Sequence, residues 1–222
     1  MQMIAWTILS TMLKTSHLKN FLERMESVKL INPEPTYLTA DAVISEETAK
    51  TLMELVDERG KRSDWSYNPD CLEFQIANPF AAVMGENDEK IISVLPELFV
   101  LGENFLRHLN QNFNNTLCEV VTGYHGFWIL KYLEQGQFDK HCDWDSTYTG
   151  IAPPVVGTVA VLLNDDFRGG EMLISDNRGA EKLVKGKKYS ATLWDGWTQH
   201  RIAPVTEGTR YTLVMHYTGT VK

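Results

Sequence analysis

The spacing of apolar and polar positions divides the chain into a helical first half and a strand-rich second half. From Ser16 to Val28, Leu18, Phe21, Leu22 and Met25 recur at helical spacing, and Ser16 is placed to cap them. Pro33 and Pro35 break this pattern, because proline lacks a backbone donor and restricts the residue before it. A second helix is predicted after Ser45. Ser45 caps it, Glu46 and Glu47 complement the positive end of its dipole, and it runs to about Arg59 before Gly60. Lys61 to Asn87 holds no period for long. Its Trp65, Tyr67 and Phe74 stand among turn formers, so it reads as a lid over a site, as a strand or two with CLEFQI at a sheet edge, or as both. Glu89 to Phe113 returns to helix. Ile92, Leu95, Phe99, Phe105, Leu106 and Leu109 are expected on or near one face, and Gly102 weakens the helix without ending it.

After Asn115 the pattern changes to short runs of β-formers: LCEVVTGY, FWILKYL, PVVGTVAVLLN, GEMLISD, KYSATLW and RYTLVMHY. Turn signals at NDD, RGG and VKGK separate several of them. Gly169-Gly170 is expected to form a hairpin turn with positive φ. Lys182, Lys185, Lys187 and Lys188 read as a solvated hairpin guarding a sheet edge. Helices followed by many strands predict an α+β fold, with N-terminal helices packed on one sheet of a β-sandwich. Within that set, the eight-stranded jelly roll is the form that holds a metal site in its mouth.

Composition narrows the picture a little. The 222 residues suit one domain with a substantial core. The expected division is an N-terminal helical extension over 1–35 and the main domain over 36–222. A net charge of −8 disfavours a nucleic-acid partner. The three cysteines, Cys71, Cys118 and Cys142, form no Cys-x-x-Cys pair, which fits a reducing compartment. Met1 to Leu13 is apolar but lacks a leading positive charge and a small-residue cleavage site, and it is too short to span a bilayer. A cytoplasmic chain with no membrane partner is therefore expected.

The candidate chemistry lies in YLEQGQFDKHCD, residues 132–143. On a strand, His141 and Asp143 point to one face and Cys142 to the other, so an imidazole and a carboxylate can share a metal. Asp145 is the local competitor for the carboxylate role. The third ligand has to come from elsewhere, and His200, in TLWDGWTQHRIAPV, is the best candidate. Two histidines and one carboxylate make the facial triad of non-haem Fe(II) oxygenases, which leaves open positions opposite the protein ligands. His17, His108 and His125 read as ordinary surface or core histidines.

Ten residues beyond His200 stands Arg210. This His-x-Asp, distant His and Arg series resembles the Fe(II)/2-oxoglutarate-dependent dioxygenase superfamily. Three further stretches are similar to its prolyl 4-hydroxylase-like branch: AVISEETAKTLMELVDERG upstream, NDDFRGGEMLI, and HRIAPVTEGTRYTLVMHY. With YLEQGQFDKHCD they make four ordered blocks over roughly residues 38–219. The resemblance implies a double-stranded β-helix (jelly roll), with Fe(II) held by His141, Asp143 and His200 and 2-oxoglutarate as cosubstrate. L-Ascorbate is an optional accessory. No catalytic residue is expected beyond the iron ligands.

In that frame Arg210 clamps the distal carboxylate of 2-oxoglutarate, Thr212 on the same strand face adds a hydroxyl, and Tyr132 donates to the same carboxylate. Outside that frame, Arg210 reads as a surface ion-pair partner and Tyr132 as a packed core tyrosine. Asp143 favours hydroxylation over halogenation, since the related halogenases replace this carboxylate with a small residue. The oxygen-sensing animal enzymes carry tryptophan near His216 and tyrosine at the position aligned with Val161, so packing around the cosubstrate is expected to differ here. Trp144, Tyr148, Trp194 and Trp197 flank the ligands and read equally as substrate contacts or as core. The implied reaction is hydroxylation of an unactivated C–H bond, with a prolyl residue in a peptide or protein as the expected substrate. A free amino acid or small metabolite is the alternative substrate. A metal-binding module without turnover and a zinc hydrolase are the alternatives in other classes, although a hydrolase has no use for Arg210 at this spacing.

Overall fold

Ser45 opens the first described helix, accepting a hydrogen bond from the Thr48 N–H at 3.1 Å in the N-cap position. In the computed structural model, which describes residues 37–62, 70–76, 88–112, 118–124, 126–144, 155–176 and 178–221, this helix is α1 (Glu46–Arg59). The extension expected over 1–35 lies outside the described residues, as do Trp65, Tyr67, His17, His125, Asp145, Tyr148 and the side chains of His108 and Cys118. Helix α2 spans Glu89–Asn112. Its Glu97 accepts from the Ser45 N–H at 2.5 Å, from Ser45 Oγ at 2.7 Å and from Thr48 Oγ1, so one carboxylate caps α1 and ties the helices together.

The buried face of α2 keeps the expected Phe105 and Leu109 but is otherwise turned from the expected one. Ile91, Val94, Leu98, Leu101, Phe105 and Leu109 are buried, whereas Ile92 is 40% exposed and Leu95 and Leu106 pack only at the margin. Apolar pairs such as Ile91-Ile92 and Val94-Leu95 leave the phase of the helix open. The sheet decides it at Gly102. A Cβ there would stand 2.9 Å from the Tyr124 ring, and Tyr217 donates its hydroxyl to Gly102 O at 3.1 Å. Gly102 is thus the point of close approach between helix and sheet.

The strands are β1 (Tyr37–Ala40), β2 (Lys61–Arg62), β3 (Cys71–Ile76), β4 (Cys118–Tyr124), β5 (Phe127–Tyr132), β6 (Phe138–His141) and β7 (Val155–Leu162). There follow β8 (Arg168–Gly169), β9 (Met172–Ser175), β10 (Glu181–Val184), β11 (Ala191–Asp195), β12 (His200–Ile202), β13 (Val205–Glu207) and β14 (Arg210–Val221). An eight-stranded sheet runs β1-β11-β7-β14-β5-β3-β2, with β4 also paired to β14, and a four-stranded sheet runs β10-β9-β12-β6. The pairs are antiparallel. This is the expected α+β double-stranded β-helix, with α1 and α2 covering one face of the larger sheet.

Two details depart from expectation. Gly169 and Gly170 do have positive φ (68° and 63°), but they do not close a hairpin. β8 pairs with β13, whereas β9 pairs with β10 and β12, so the glycines pass the chain from one pairing to another. A Cβ on Gly169 would lie 2.4 Å from Pro204 O. Strand β1 was not foreseen, because YLTA is too short to show alternation; its pairing with β11 from Tyr37↔Trp194 to Ala40↔Ala191 makes it a strand.

The larger sheet separates two apolar cores. Ile129, Val159, Val161, Leu193, Leu213 and Met215 face the helices. Their neighbours Leu130, Tyr132, Ala160, Trp194 and Val214 face the smaller sheet and its Met172, Ile174 and Ile202. Val161, aligned above with a tyrosine near the cosubstrate, therefore lies on the helix side, since strand side chains alternate faces. Its neighbour Ala160 belongs to the inner face.

Candidate metal centre

Strands β6 and β12 lie side by side with His141 opposite His200, and the two rings are 4.3 Å apart. Asp143 follows two residues after His141, beyond the end of β6. One ligand atom from each of His141, Asp143 and His200 lies within 4.8 Å of the others. The structure therefore gathers the three residues picked out as a ligand set, which are separated by up to 59 positions in sequence.

The hydrogen bonds around them prepare each donor atom. His141 Nδ1 lies 2.7 Å from Asp139 O, and His200 Nδ1 lies 3.0 Å from Thr198 O. A carbonyl only accepts, so each Nδ1 carries its proton and each Nε2 presents a bare lone pair. Those nitrogens stand 3.6 and 3.7 Å from Asp143 Oδ1. Such distances are too long for hydrogen bonds and leave space for a shared cation. The other carboxylate oxygen is held: Thr158 Oγ1 donates to Oδ2 at 2.6 Å and Trp194 Nε1 at 3.0 Å.

Charge follows the same arrangement. Burial alone would raise the Asp143 pKa, but the imidazoles of His200, His141 and His216 outweigh it and hold the carboxyl well below the usual carboxylate range. Burial pushes the His200 pKa down and His141 adds to this, against the pull of Asp143, which favours the neutral imidazole a metal requires. Phe138 stacks on His141 at 4.2 Å, and Trp194 lies against His200 at 4.7 Å, so apolar rings fix both imidazoles.

On the same face of the larger sheet, Arg210 of β14 pairs with Tyr132 of β5. Arg210 is 5% exposed, its guanidinium lies 5.3 Å over the Tyr132 ring, and it donates from Nη1 to Thr212 Oγ1. Among the described residues no carboxylate comes within ion-pair distance of it. Burial lowers the Arg210 pKa, but arginine stays charged even when buried, so this pocket holds a positive charge. Gly170 makes room for it, since a Cβ there would lie 3.0 Å from Arg210 Cδ. Burial raises the Tyr132 pKa, so the phenol remains a donor.

His216 also faces inward, with Nδ1 3.1 Å from Thr158 Oγ1 and its ring 5.2 Å from Trp128. Trp144 and Trp197 stack on each other at 4.7 Å. Of the flanking tryptophans, Trp194 is neither a surface contact nor plain core: its N–H serves the Asp143 carboxylate. Thr158 was missed by sequence reasoning. The available signal was a single hydroxyl in the apolar run PVVGTVAVLLN, in step with the inward-facing Ala160.

The two histidines and one carboxylate, set in a double-stranded β-helix, form the kind of donor set that non-haem Fe(II) oxygenases use. Residues 127–218 match the model of the 2OG-Fe(II) oxygenase superfamily, whose members use Fe(II) and 2-oxoglutarate. A PKHD-type hydroxylase from Delftia acidovorans is 31% identical over 86 residues, covering 36% of this chain and 38% of that protein. The match thus spans about two fifths of the curated relative's length. A Pseudomonas putida prolyl-4-hydroxylase superposes with a TM-score of 0.61 at 12% identity, over 90% of this chain and 97% of that one. A Trichoplax adhaerens prolyl hydroxylase, solved in complex with a hypoxia inducible factor oxygen degradation domain peptide fragment, superposes with a TM-score of 0.66 at 13% identity, over 93% and 94% of the two chains. Among the described residues no helix is long and apolar enough to cross a membrane.

Proposed function

We propose that this chain is an Fe(II)- and 2-oxoglutarate-dependent hydroxylase acting on a prolyl residue of a peptide or protein. The observation that carries the reading is the pairing of a prepared Nε2/Oδ1/Nε2 donor set with a buried Arg210 that has no carboxylate partner among the described residues. His141, Asp143 and His200 would hold the iron. Arg210, with Thr212 and Tyr132 beside it, would hold the distal carboxylate of 2-oxoglutarate, each charge-assisted hydrogen bond contributing about 1.5–3 kcal/mol. When bound, iron and 2-oxoglutarate supply an oxidant that hydroxylates an unactivated C–H bond, with succinate and carbon dioxide as co-products. The protein's share is to fix the ligands, orient the substrate and exclude water. A prolyl substrate is supported by the prolyl hydroxylase fold and by the peptide held in the Trichoplax protein.

The test begins without oxygen. Fe(II) followed by 2-oxoglutarate is added to the purified chain, and the visible spectrum is expected to show a weak charge-transfer band that Zn(II) does not give and that His141→Ala abolishes. Admitting air with proline-containing peptides should then accelerate succinate release. Iron binding without the band would refute the cosubstrate and favour a binding module or hydrolase. Succinate release stimulated by free amino acids and not by peptides would refute the peptide substrate.

A further inference from the structure

The contacts of Asp143 divide its two oxygens between different tasks. Oδ1 faces both histidine Nε2 atoms, whereas Oδ2 accepts from Thr158 Oγ1 and Trp194 Nε1. Thr158 has one hydroxyl proton, and an ionised carboxylate can only accept, so that proton goes to Oδ2 at 2.6 Å. His216 Nδ1, at 3.1 Å from the same hydroxyl, must then be the donor. The result is a one-way chain, His216 Nδ1–H to Thr158 Oγ1–H to Asp143 Oδ2, joined there by the Trp194 N–H. All three donors belong to the larger sheet: Thr158 to β7, Trp194 to β11 and His216 to β14. The two ligand histidines belong to the smaller sheet.

We infer that Thr158 and Trp194 are positioning residues for the metal. They commit Oδ2 to the protein, so that Asp143 would offer only Oδ1 to a metal. The physical reason is competition. A carboxylate with two free oxygens can take a cation with both, and the second oxygen would then occupy a position that a chelating cosubstrate needs. Two donors on Oδ2, one of them at 2.6 Å, oppose that rotation. Hydrogen-bonded partners of metal ligands typically change affinity by about 10- to 100-fold when removed. His216 acts one step further back, by orienting the Thr158 hydroxyl.

This inference rests on the iron-binding reading above, and its test separates the two. Thr158→Val removes the hydroxyl at constant shape, Thr158→Ser keeps it, and Trp194→Phe keeps a ring against His200 while removing the N–H. Mn(II) affinity of each is measured anaerobically by electron paramagnetic resonance, with and without 2-oxoglutarate, alongside the melting temperature of the metal-free protein. The expected result is a rise in the Mn(II) dissociation constant of about 10-fold in Thr158→Val and in Trp194→Phe, near wild-type affinity in Thr158→Ser, and weakened tightening by 2-oxoglutarate in the first two. A wild-type-like dissociation constant in Thr158→Val would overturn the inference while leaving the iron site standing. So would an equal loss in Thr158→Ser, which would make the defect one of packing. Failure of the wild-type protein to bind Mn(II) at all would overturn the iron-binding reading first, and this inference with it.

Discussion

Arg210 is a charge kept where folding gains little from it. Its guanidinium is buried, rests on Tyr132 and Thr212, and has no carboxylate within ion-pair distance among the described residues. A buried cation without a counter-ion costs stability, so its presence is better explained by a ligand. Arg210→Met should accordingly leave the metal-free protein at least as stable as the wild type in urea unfolding. It should also abolish the rise in melting temperature that 2-oxoglutarate and Zn(II) together give the wild type, since a bound ligand stabilises by roughly 2.7 kcal/mol at a hundred times its dissociation constant. A loss of more than about 1 kcal/mol in the metal-free variant would mark the guanidinium as structural. At this scale His141, Asp143, His200 and Arg210 could be read from sequence because the His-x-Asp pair stands among four ordered blocks that resemble a known family, and the structure brings the first three together. Thr158 and Trp194 could not, because each acts through a carboxylate far from it in the chain, and a Thr or Trp in an apolar strand looks like any other core residue.

At the scale of elements, the helices show where periodicity reads well and where it fails. The bounds of α1 were legible because Ser45, Glu46, Glu47 and Gly60 are local signals, and its capping bond to Thr48 is local too. The face of α2 was not, because it is set by Gly102 meeting Tyr124 and Tyr217 across the sheet. Substitutions along α2 should follow the observed face. Leu98→Ala is expected to cost about 2–5 kcal/mol and Ile92→Ser under about 0.5 kcal/mol in urea unfolding. Glu97→Ala should cost about 1.5–3 kcal/mol, since it removes a charged acceptor from Ser45 and Thr48 together. Equal effects at Ile92 and Leu98 would mean that the helix sits in another phase. The six strands read from alternation or apolar runs correspond to β4, β5, β7, β9, β11 and β14. The shorter β1, β8, β10 and β13 are strands through their pairing, β1 with β11, β10 with β9 and β8 with β13, which no local pattern shows.

Across the whole molecule, the site is assembled from two sheets. The smaller one supplies His141 and His200, and Asp143 is fastened to the larger one through Thr158 and Trp194. Metal loading should therefore tighten both sheets together. In hydrogen exchange, added Mn(II) is expected to slow amides of β6 and β12 and also those of β7 and β11 around Thr158 and Trp194, with little change in α1 and α2. Protection confined to β6 and β12 would show that Asp143 does not couple the sheets. The larger sheet also has two faces with separate duties, and β14 displays them in alternation: Arg210, Thr212, Val214 and His216 toward the site, Tyr211, Leu213, Met215 and Tyr217 toward the helices. In evolutionary terms, neighbouring codons of one strand answer to different selection. Changes at the odd-numbered positions alter how much protein persists, changes at the even-numbered ones alter what the pocket can hold, and a lineage can drift in one without losing the other.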